Sequence, residues 1–497
     1  MTGDEARAAR GTTPGTTPGT TPGTSPGSIP HANPGAPGAQ PQSCDLDLGP
    51  DPRPIARVGG AIDARITPPG SKSITNRLYL LAALAEGRSR IRGPLRSGDA
   101  DRLLDALVAL GAAATWEGGD VLIDGVGGKF SRGGRVDLGD GGTPTRFMLA
   151  AACFAAQPVT IDGSPRMRER PIAEGVDLLR RLGASIAYVE EEGRLPVRVA
   201  PAPLRGGRIE VGATRSSQFV SALMLVAPLL PGGLEIAWTA PPTSASYLAL
   251  TRAALERFGV GVGAPPLRAV RPAGPSAPIP GMSVAQQPLR AADVAVEADA
   301  SSAAYFLALA ALLPGSRVVV EGLAPGSAQP DAGVLAALDA CGTGWSATIA
   351  PPTIAAVGSD PIRPFTLDLI GMPDAALAIA AIAARSEGRC RIEGLATLRD
   401  KECDRVAAIA TELRRVGCGV EVLGDAIEID PTTAHDRPVT IETYRDHRVA
   451  MAFAILGCAR GGISIADPGC VAKSYPGFWR DLERVAAAPA RRRLDRG

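Results

Sequence analysis

The chain has 497 residues, enough for two or three domains with their own cores, and 52 basic against 51 acidic residues leave a net charge of +1. That balance gives no global field to recruit nucleic acid or a membrane surface, and an aromatic content of 4% supplies few platforms for base stacking. Eight scattered cysteines without a C-x-x-C pair, and only three histidines (His31, His435, His447), argue against a disulfide framework or a zinc centre, so a reduced chain without a metal is expected.

Residues 1–53 are low in complexity, with repeated Thr-Thr-Pro-Gly giving way to Pro, Gly and Ala. They hold too few apolar side chains to repay ordering and are expected to be disordered. They contain no signal-peptide core, and a Pro/Gly tract cannot form the amphipathic helix of a transit peptide, so a cytoplasmic chain is expected. Nothing later approaches a membrane-spanning length without charge or proline.

From Ile66 onward one helical unit recurs six times, with a period of roughly 70 to 85 residues. Its first helix is rich in Ala and Leu and mostly opens on Ser, Thr or Asp as an N-cap. The six copies open at Ser73-Ile74-Thr75-Asn76-Arg77, Gly142-Thr143-Pro144-Thr145-Arg146, Ser216-Ser217-Gln218-Phe219, Ala300-Ser301-Ser302, Pro373-Asp374-Ala375-Ala376 and Asp446-His447-Arg448. Short β-rich runs follow at Ser89–Ile91, Val159–Ile161, Leu234–Ile236, Arg317–Val320, Cys390–Ile392 and Ile463–Ile465. A second helix then runs in each unit: Leu103–Gly111, Val176–Gly183, Tyr247–Gly259, Val334–Gly342, Ala407–Gly417 and Phe478–Val485. All but the last end on a glycine. Each unit therefore reads as a βαβ-containing subdomain, and Pro265–Pro288 is the one poorly patterned interruption.

Chemistry gathers where the first helices begin. Unit one gives Lys72, Ser73 and Arg77 after a glycine turn, and unit two gives Asp140-Gly141-Gly142, where backbone can approach a ligand closely. The run Ser164-Pro165-Arg166-Met167-Arg168-Glu169-Arg170 is dense in guanidinium groups suited to carboxylate or phosphate. Ser216, Ser217 and Gln218 offer neutral donors at a helix start, while Asp374, Lys401, Glu402, Arg405, Arg448 and Lys473 come from the last two units. Cations at helix starts oppose the dipole, so their recurrence there is not explained by helix stability. Asp374 and Asp446 could each be simple N-caps, and His447 could be a packed, hydrogen-bonded ring. Gly70-Ser71-Lys72-Ser73 lacks the Gly-Lys-Ser/Thr order and the spacer of a P-loop, which disfavours a nucleotide kinase or ATPase.

Taken together, these stretches resemble the 5-enolpyruvylshikimate-3-phosphate synthase family, from about Val58 to Leu482. The most specific are Pro69-Gly70-Ser71-Lys72-Ser73 with Asn76-Arg77, Pro165–Pro171 and Ser216–Phe219, and Asp299-Ala300-Ser301-Ser302, Pro373-Asp374-Ala375-Ala376, Lys401-Glu402, Asp446-His447-Arg448 and Ala472-Lys473 complete the set. The resemblance implies an α/β, two-lobed enolpyruvyl-transferase fold with six βαβ-containing repeats in two pseudo-threefold domains and the site between them. One lobe would span 71–297, and the other 54–70 with 298–488, leaving tails at 1–53 and 489–497. It further implies a transfer from phosphoenolpyruvate to shikimate 3-phosphate, without metal or organic cofactor, nucleic acid or membrane, in a chain expected to be a monomer.

By resemblance, shikimate 3-phosphate would be held by Lys72, Ser73, Arg77, Ser216, Ser217, Gln218, Ser244, Tyr247, Asp374, Thr397 and Lys401. Phosphoenolpyruvate would be held by Lys72, Gly142, Arg170, Gln218, Arg405, Arg448 and Lys473. Asp374 would be the general base, with Glu402 handling the proton at C3 and Lys72 sharing the acid's work. Three positions depart from the family pattern. Asp140 replaces asparagine, and must turn away or be neutralised by a cation such as Arg170. Thr397 replaces asparagine with a shorter reach, and Phe147 follows Arg146 where proline is common. A sister enzyme acting on UDP-N-acetylglucosamine usually has Lys-Asn at the first helix and no Ser-Ser-Gln cradle. A nucleic-acid-end-processing or RNA-binding protein on a related fold is disfavoured by neutral charge and few aromatics.

Overall fold

The computed structural model describes residues 49–263 and 281–490. The disorder expected of residues 1–48, the first part of the Pro265–Pro288 interruption and the end of the C-terminal tail lie outside the described residues. Among the described residues the strands form five four-stranded sheets and one three-stranded sheet.

The second unit shows the pattern most simply. Strand Gly134–Asp137 lies parallel to Val159–Asp162, and helix Gly142–Ala152 makes the crossover between them. Helix Ala173–Arg181 follows, and strands Ser185–Tyr188 and Val197–Ala200 form an antiparallel pair on the sheet's other side. Parallel strands need a crossover whereas antiparallel ones need only a turn, so one βαβ step and one hairpin complete this sheet. The first helices are apolar nearly all round and are buried; every residue of Ala300–Leu312 except Ser301 is buried. The second helices have one polar face and cover the outside, as Phe478–Ala486 does by burying Phe478, Trp479, Leu482 and Val485.

Units one and four exchange their opening strands. Asp63–Ile66, which precedes the Lys72–Leu84 helix, pairs in parallel with Arg317–Glu321. Asp293–Ala295, which precedes the Ala300–Leu312 helix, pairs in parallel with Arg88–Arg92. The two segments cross at an antiparallel bridge between Gly70 and Ala298. There Ser71 N donates to Glu297 O at 2.8 Å and Asp299 N to Pro69 O at 2.8 Å. A Cβ at Gly70 would sit 2.3 Å from the Gly93 carbonyl oxygen, so this crossing requires glycine.

Buried apolar side chains fall into two clusters. One runs from Ile74 to Val294; the other joins Ile62, Ala64 and Ile66 to residues from Ala298 to Val485. Strand Arg53–Pro54 pairs antiparallel with Ile465 and Ser464, so Arg53, read as the end of the tail, belongs to the fold. The reason is Arg53, which is buried, lies over the Trp479 ring and bonds Glu483 at 2.5 Å.

N-capping departs from expectation in an informative way. Ser216, Asp299 and Asp446 cap their helices, accepting from Gln218 N, Ser302 N and Arg448 N. The helices beginning at Lys72, Gly142 and Ala376 have no side-chain cap of their own. Ser71 does not cap the first of these; instead the second oxygen of Asp299 accepts from Lys72 N at 3.1 Å, so one carboxylate serves two helices at the crossing. Helix starts without caps keep N–H groups available to a ligand.

Candidate active site

A cleft of about 930 Å³ is lined by residues of both clusters' segments, from Lys72 to Tyr247 on one side and from Asp374 to Arg448 on the other. Eight of its lining residues are cationic (Lys72, Arg77, Arg146, Arg170, Arg215, Lys401, Arg405, Arg448) and four are acidic (Asp99, Asp374, Asp400, Glu402). The excess of positive charge suits more than one polyanion.

Asp374 sits in the short turn Pro373–Ala375 that leads into helix Ala376–Ala383, and it does not cap that helix. Its Oδ1 accepts from Arg405 Nη1 at 2.8 Å and lies 3.2 Å from Lys401 Nζ. Its Oδ2 accepts from the Tyr247 hydroxyl at 2.9 Å and lies 3.5 Å from Arg448 Nη2. Burial pushes its carboxyl up, but Arg448, Lys401 and Arg405 outweigh burial and hold it well below the usual range. Asp446, by contrast, is a cap, and its carboxylate also grips Arg405 Nε at 2.7 Å.

Glu402 bonds Arg405 Nη2 at 2.8 Å and Lys473 Nζ at 3.1 Å, and these two cations overcome burial to keep it ionised. Lys473 stands just behind the lining residues; burial lowers its pKa, but the charges of Glu402 and Asp99 more than reverse that. Burial lowers the pKa of Lys401, and Asp374 offsets only part of the fall. His447 is buried, but among the described residues neither ring nitrogen has a hydrogen-bond partner, and burial, then the charge of Lys72, hold it neutral.

On the opposite side, Lys72 Nζ lies 3.3 Å from Asp99 Oδ2. Arg170 is the contrasting case: it is buried, and among the described residues its side chain has no hydrogen-bond partner but Met167 Sδ at 3.8 Å. A buried guanidinium without a carboxylate asks for an anion. It lies against the uncapped start of the Gly142 helix, where a Cβ on Gly142 would be 2.7 Å from Arg170 Nη1. Gly142→Ala should therefore displace Arg170 and weaken, about tenfold or more, the binding of a small anion at this helix start. It should also weaken any small phosphonate competitor; unchanged affinity for both would contradict this geometry.

The remaining predicted residues also gather here, though not all with free donors. Ser73, Ser216, Ser217, Gln218, Ser244 and Tyr247 line the cleft. Ser244 adopts a left-handed conformation, with φ of +47°, at the head of helix Ala245–Arg257. Arg77 lines the cleft too, but its nitrogens donate to Thr251, Ser73 O, Ser221 and Tyr247 O, so it braces two helices. Thr397 Oγ1 is buried without a partner among the described residues. Asp140 turns away as required, yet it is Ser164, not Arg170, that bonds its carboxylate. Phe147 is buried with the Arg77 guanidinium 5.4 Å over its ring.

Sequence reasoning missed four features. Arg146, one turn after Gly142, donates to Gln218 Oε1 at 2.6 Å, and burial then Arg170 pull its pKa down to about 9. Its i+4 spacing from Gly142 was the available signal. Asp99 and Arg215 had none. Asp331, the fourth, is buried, bonded by the Ser301 hydroxyl, and 3.9 Å from Arg448 Nη1. Burial, then the charge of Asp374, raise it to about 7 against the pull of Arg448. An acid so raised costs nothing below its unfolded value near pH 4. As pH rises from there, the unfolded chain gives up a proton that the folded one keeps, and the fold loses stability. The stability of Asp331→Asn relative to wild type should thus climb as pH rises above about 4 in denaturant melts; a difference independent of pH would refute it.

Comparison with known proteins follows the same lines. The family model described as EPSP synthase (3-phosphoshikimate 1-carboxyvinyltransferase) matches residues 56–482. The 3-phosphoshikimate 1-carboxyvinyltransferase of Methanoculleus marisnigri is 39% identical over 86% of this chain and 98% of its own length. The solved EPSP synthase of Acinetobacter baumannii superposes with a TM-score of 0.72 at 26% identity, covering 87% of this chain and 97% of that one. The enolpyruvyl transferase NikO of Streptomyces tendae shares the fold, with a TM-score of 0.67 at 18% identity over 88% of this chain and 98% of that one.

Proposed function

The chain belongs to the EPSP synthase (3-phosphoshikimate 1-carboxyvinyltransferase) family, and from that premise we propose how its cleft performs the reaction. The enzyme transfers the enolpyruvyl group of phosphoenolpyruvate to the 5-hydroxyl of shikimate 3-phosphate, in aromatic amino-acid biosynthesis, and releases inorganic phosphate.

Shikimate 3-phosphate lies with its phosphate on Ser216, Ser217 and Gln218, near Lys72, Ser73 and Arg77, and its ring between Ser244, Tyr247, Asp374, Thr397 and Lys401. Phosphoenolpyruvate lies on the Gly142 helix start with Arg170, Arg405, Arg448 and Lys473, and it shares Lys72 and Gln218 with the acceptor. Asp374 takes the proton of the 5-hydroxyl, whose oxygen attacks C2 of phosphoenolpyruvate. Lys72 delivers a proton to C3, so the methylene becomes a methyl group; the Glu402 carboxylate, held ionised, is the group that accepts a C3 proton back. The resulting tetrahedral intermediate gives a C3 proton back and loses phosphate, which restores the double bond.

The observation that supports this most is the Asp374 carboxylate among Arg405, Lys401 and Arg448, tied through Tyr247 to the opposite side of the cleft. A carboxylate so depressed is ionised but a weak base. As substrate anions draw those cations to themselves, its basicity rises when the proton must be taken. Gathering several cations also holds two anions together against their repulsion. We further propose that the chain acts as a monomer in the cytoplasm, which light scattering and fractionation check. Among the described residues, no helix is long and apolar enough to cross a membrane.

The acceptor test is phosphate release from phosphoenolpyruvate with either shikimate 3-phosphate or UDP-N-acetylglucosamine. Turnover is expected with the first alone; turnover with the second alone would move the chain to the sister activity.

A further inference from the structure

Arg166 makes a contact that the mechanism above does not use. It stands in the short helix Pro165–Glu169, whose cap, Ser164, accepts from Met167 N at 3.1 Å and itself bonds the Asp140 carboxylate. Its Nη1 is held by Glu169 Oε2 at 2.7 Å. That leaves the other edge of the guanidinium facing across the cleft, where Nε donates to Glu402 O at 3.0 Å and Nη2 to Lys401 O at 3.2 Å. Met167 beside it packs in the Ile74–Val294 cluster, whereas Leu398 and Val406, flanking the gripped segment, pack in the other.

Resting on the transferase reading, we infer that Arg166 is a positioning residue: its fork fixes the Lys401–Glu402 backbone and thereby sets where two charged side chains meet the reacting groups. Lys401, Glu402 and Cys403 lie in neither helix nor strand, so no sheet or helix ladder holds their carbonyls. The side chains they carry are the ones that matter most, since Lys401 touches Asp374 at 3.2 Å and Glu402 touches Arg405 and Lys473. A planar fork with two donors on one edge can bind two successive carbonyls and resist rotation of the segment, which an ammonium cannot do. Arg166 is not among the residues that line the cleft, so its effect is expected through the segment it grips. Misplacement of the acid–base groups by about 1 Å costs up to a hundredfold in rate.

The test is steady-state kinetics of Arg166→Ala, Arg166→Gln and Arg166→Lys with thermal melting of each. Arg166→Ala and Arg166→Gln should lose between about tenfold and a hundredfold in kcat, with KM for shikimate 3-phosphate within about twofold of wild type. Arg166→Lys should recover only part, since a lysine reaches one carbonyl. Wild-type kcat in the alanine variant would overturn the inference. So would a loss that follows the melting midpoint with kcat per folded molecule unchanged, which marks a merely structural contact. A wild-type enzyme without phosphate release from these substrates would instead refute the transferase reading, before any variant is compared.

Discussion

Asp374→Asn is expected to lower kcat by about a thousandfold while both substrates still bind, and Asp374→Ala should do the same. The amide keeps the volume and the hydrogen bond from Tyr247 but cannot take a proton from an attacking hydroxyl. Three cations share this carboxylate, Arg405 at 2.8 Å, Lys401 at 3.2 Å and Arg448 at 3.5 Å. Losing their common counter-ion leaves buried positive charge that anionic ligands can satisfy, so affinity should hold or rise. Equilibrium binding of each substrate, beside single-turnover rates, separates the two effects. A variant with near-wild-type kcat, or one that binds neither substrate, would remove Asp374 from the role of base.

Lys72→Met is expected to cost about a hundredfold to a thousandfold in kcat/KM for both substrates together, the scale of one preorganised electrostatic donor. Lys72 is the first residue of its helix, where a cation opposes the dipole, so stability does not explain its position. Its only acidic partner among the described residues is Asp99, at 3.3 Å. Removing Lys72 strands that buried carboxylate, so the double variant Lys72→Met/Asp99→Asn is the proper control: it should regain folding stability without regaining rate. Recovery of rate in the double variant would show that the single change acted through misfolding.

How far the sequence could be read depended on whether the signal was local. The six first helices were visible because each is a run of Ala and Leu buried on every face and announced by small or acidic residues. The two-lobed α/β fold and the gathering of helix starts followed from that repeat and from the family resemblance. Local reading failed where the partner is distant. Nothing near Asp63 says that its strand joins Arg317–Glu321 rather than its own unit, and nothing near Lys72 says that Asp299 supplies its cap. Asp374 and Asp446 look equivalent in sequence, but only one is a cap; the other faces three cations brought from later in the chain. The partnering of Asp140 by Ser164, and the approach of Asp99 to Lys72, likewise depend on packing between elements that carry no mutual sequence signal.

One reaction, run in heavy water with shikimate 3-phosphate and phosphoenolpyruvate and followed by proton and phosphorus magnetic resonance, tests addition–elimination in this cleft most directly. Because C3 gains a proton from solvent before phosphate leaves and returns one afterwards, inorganic phosphate should accumulate with an enolpyruvyl ether whose methylene contains deuterium. Phosphate and ether without deuterium would exclude the protonated intermediate, and no phosphate at all would contradict the assignment of this chain's function.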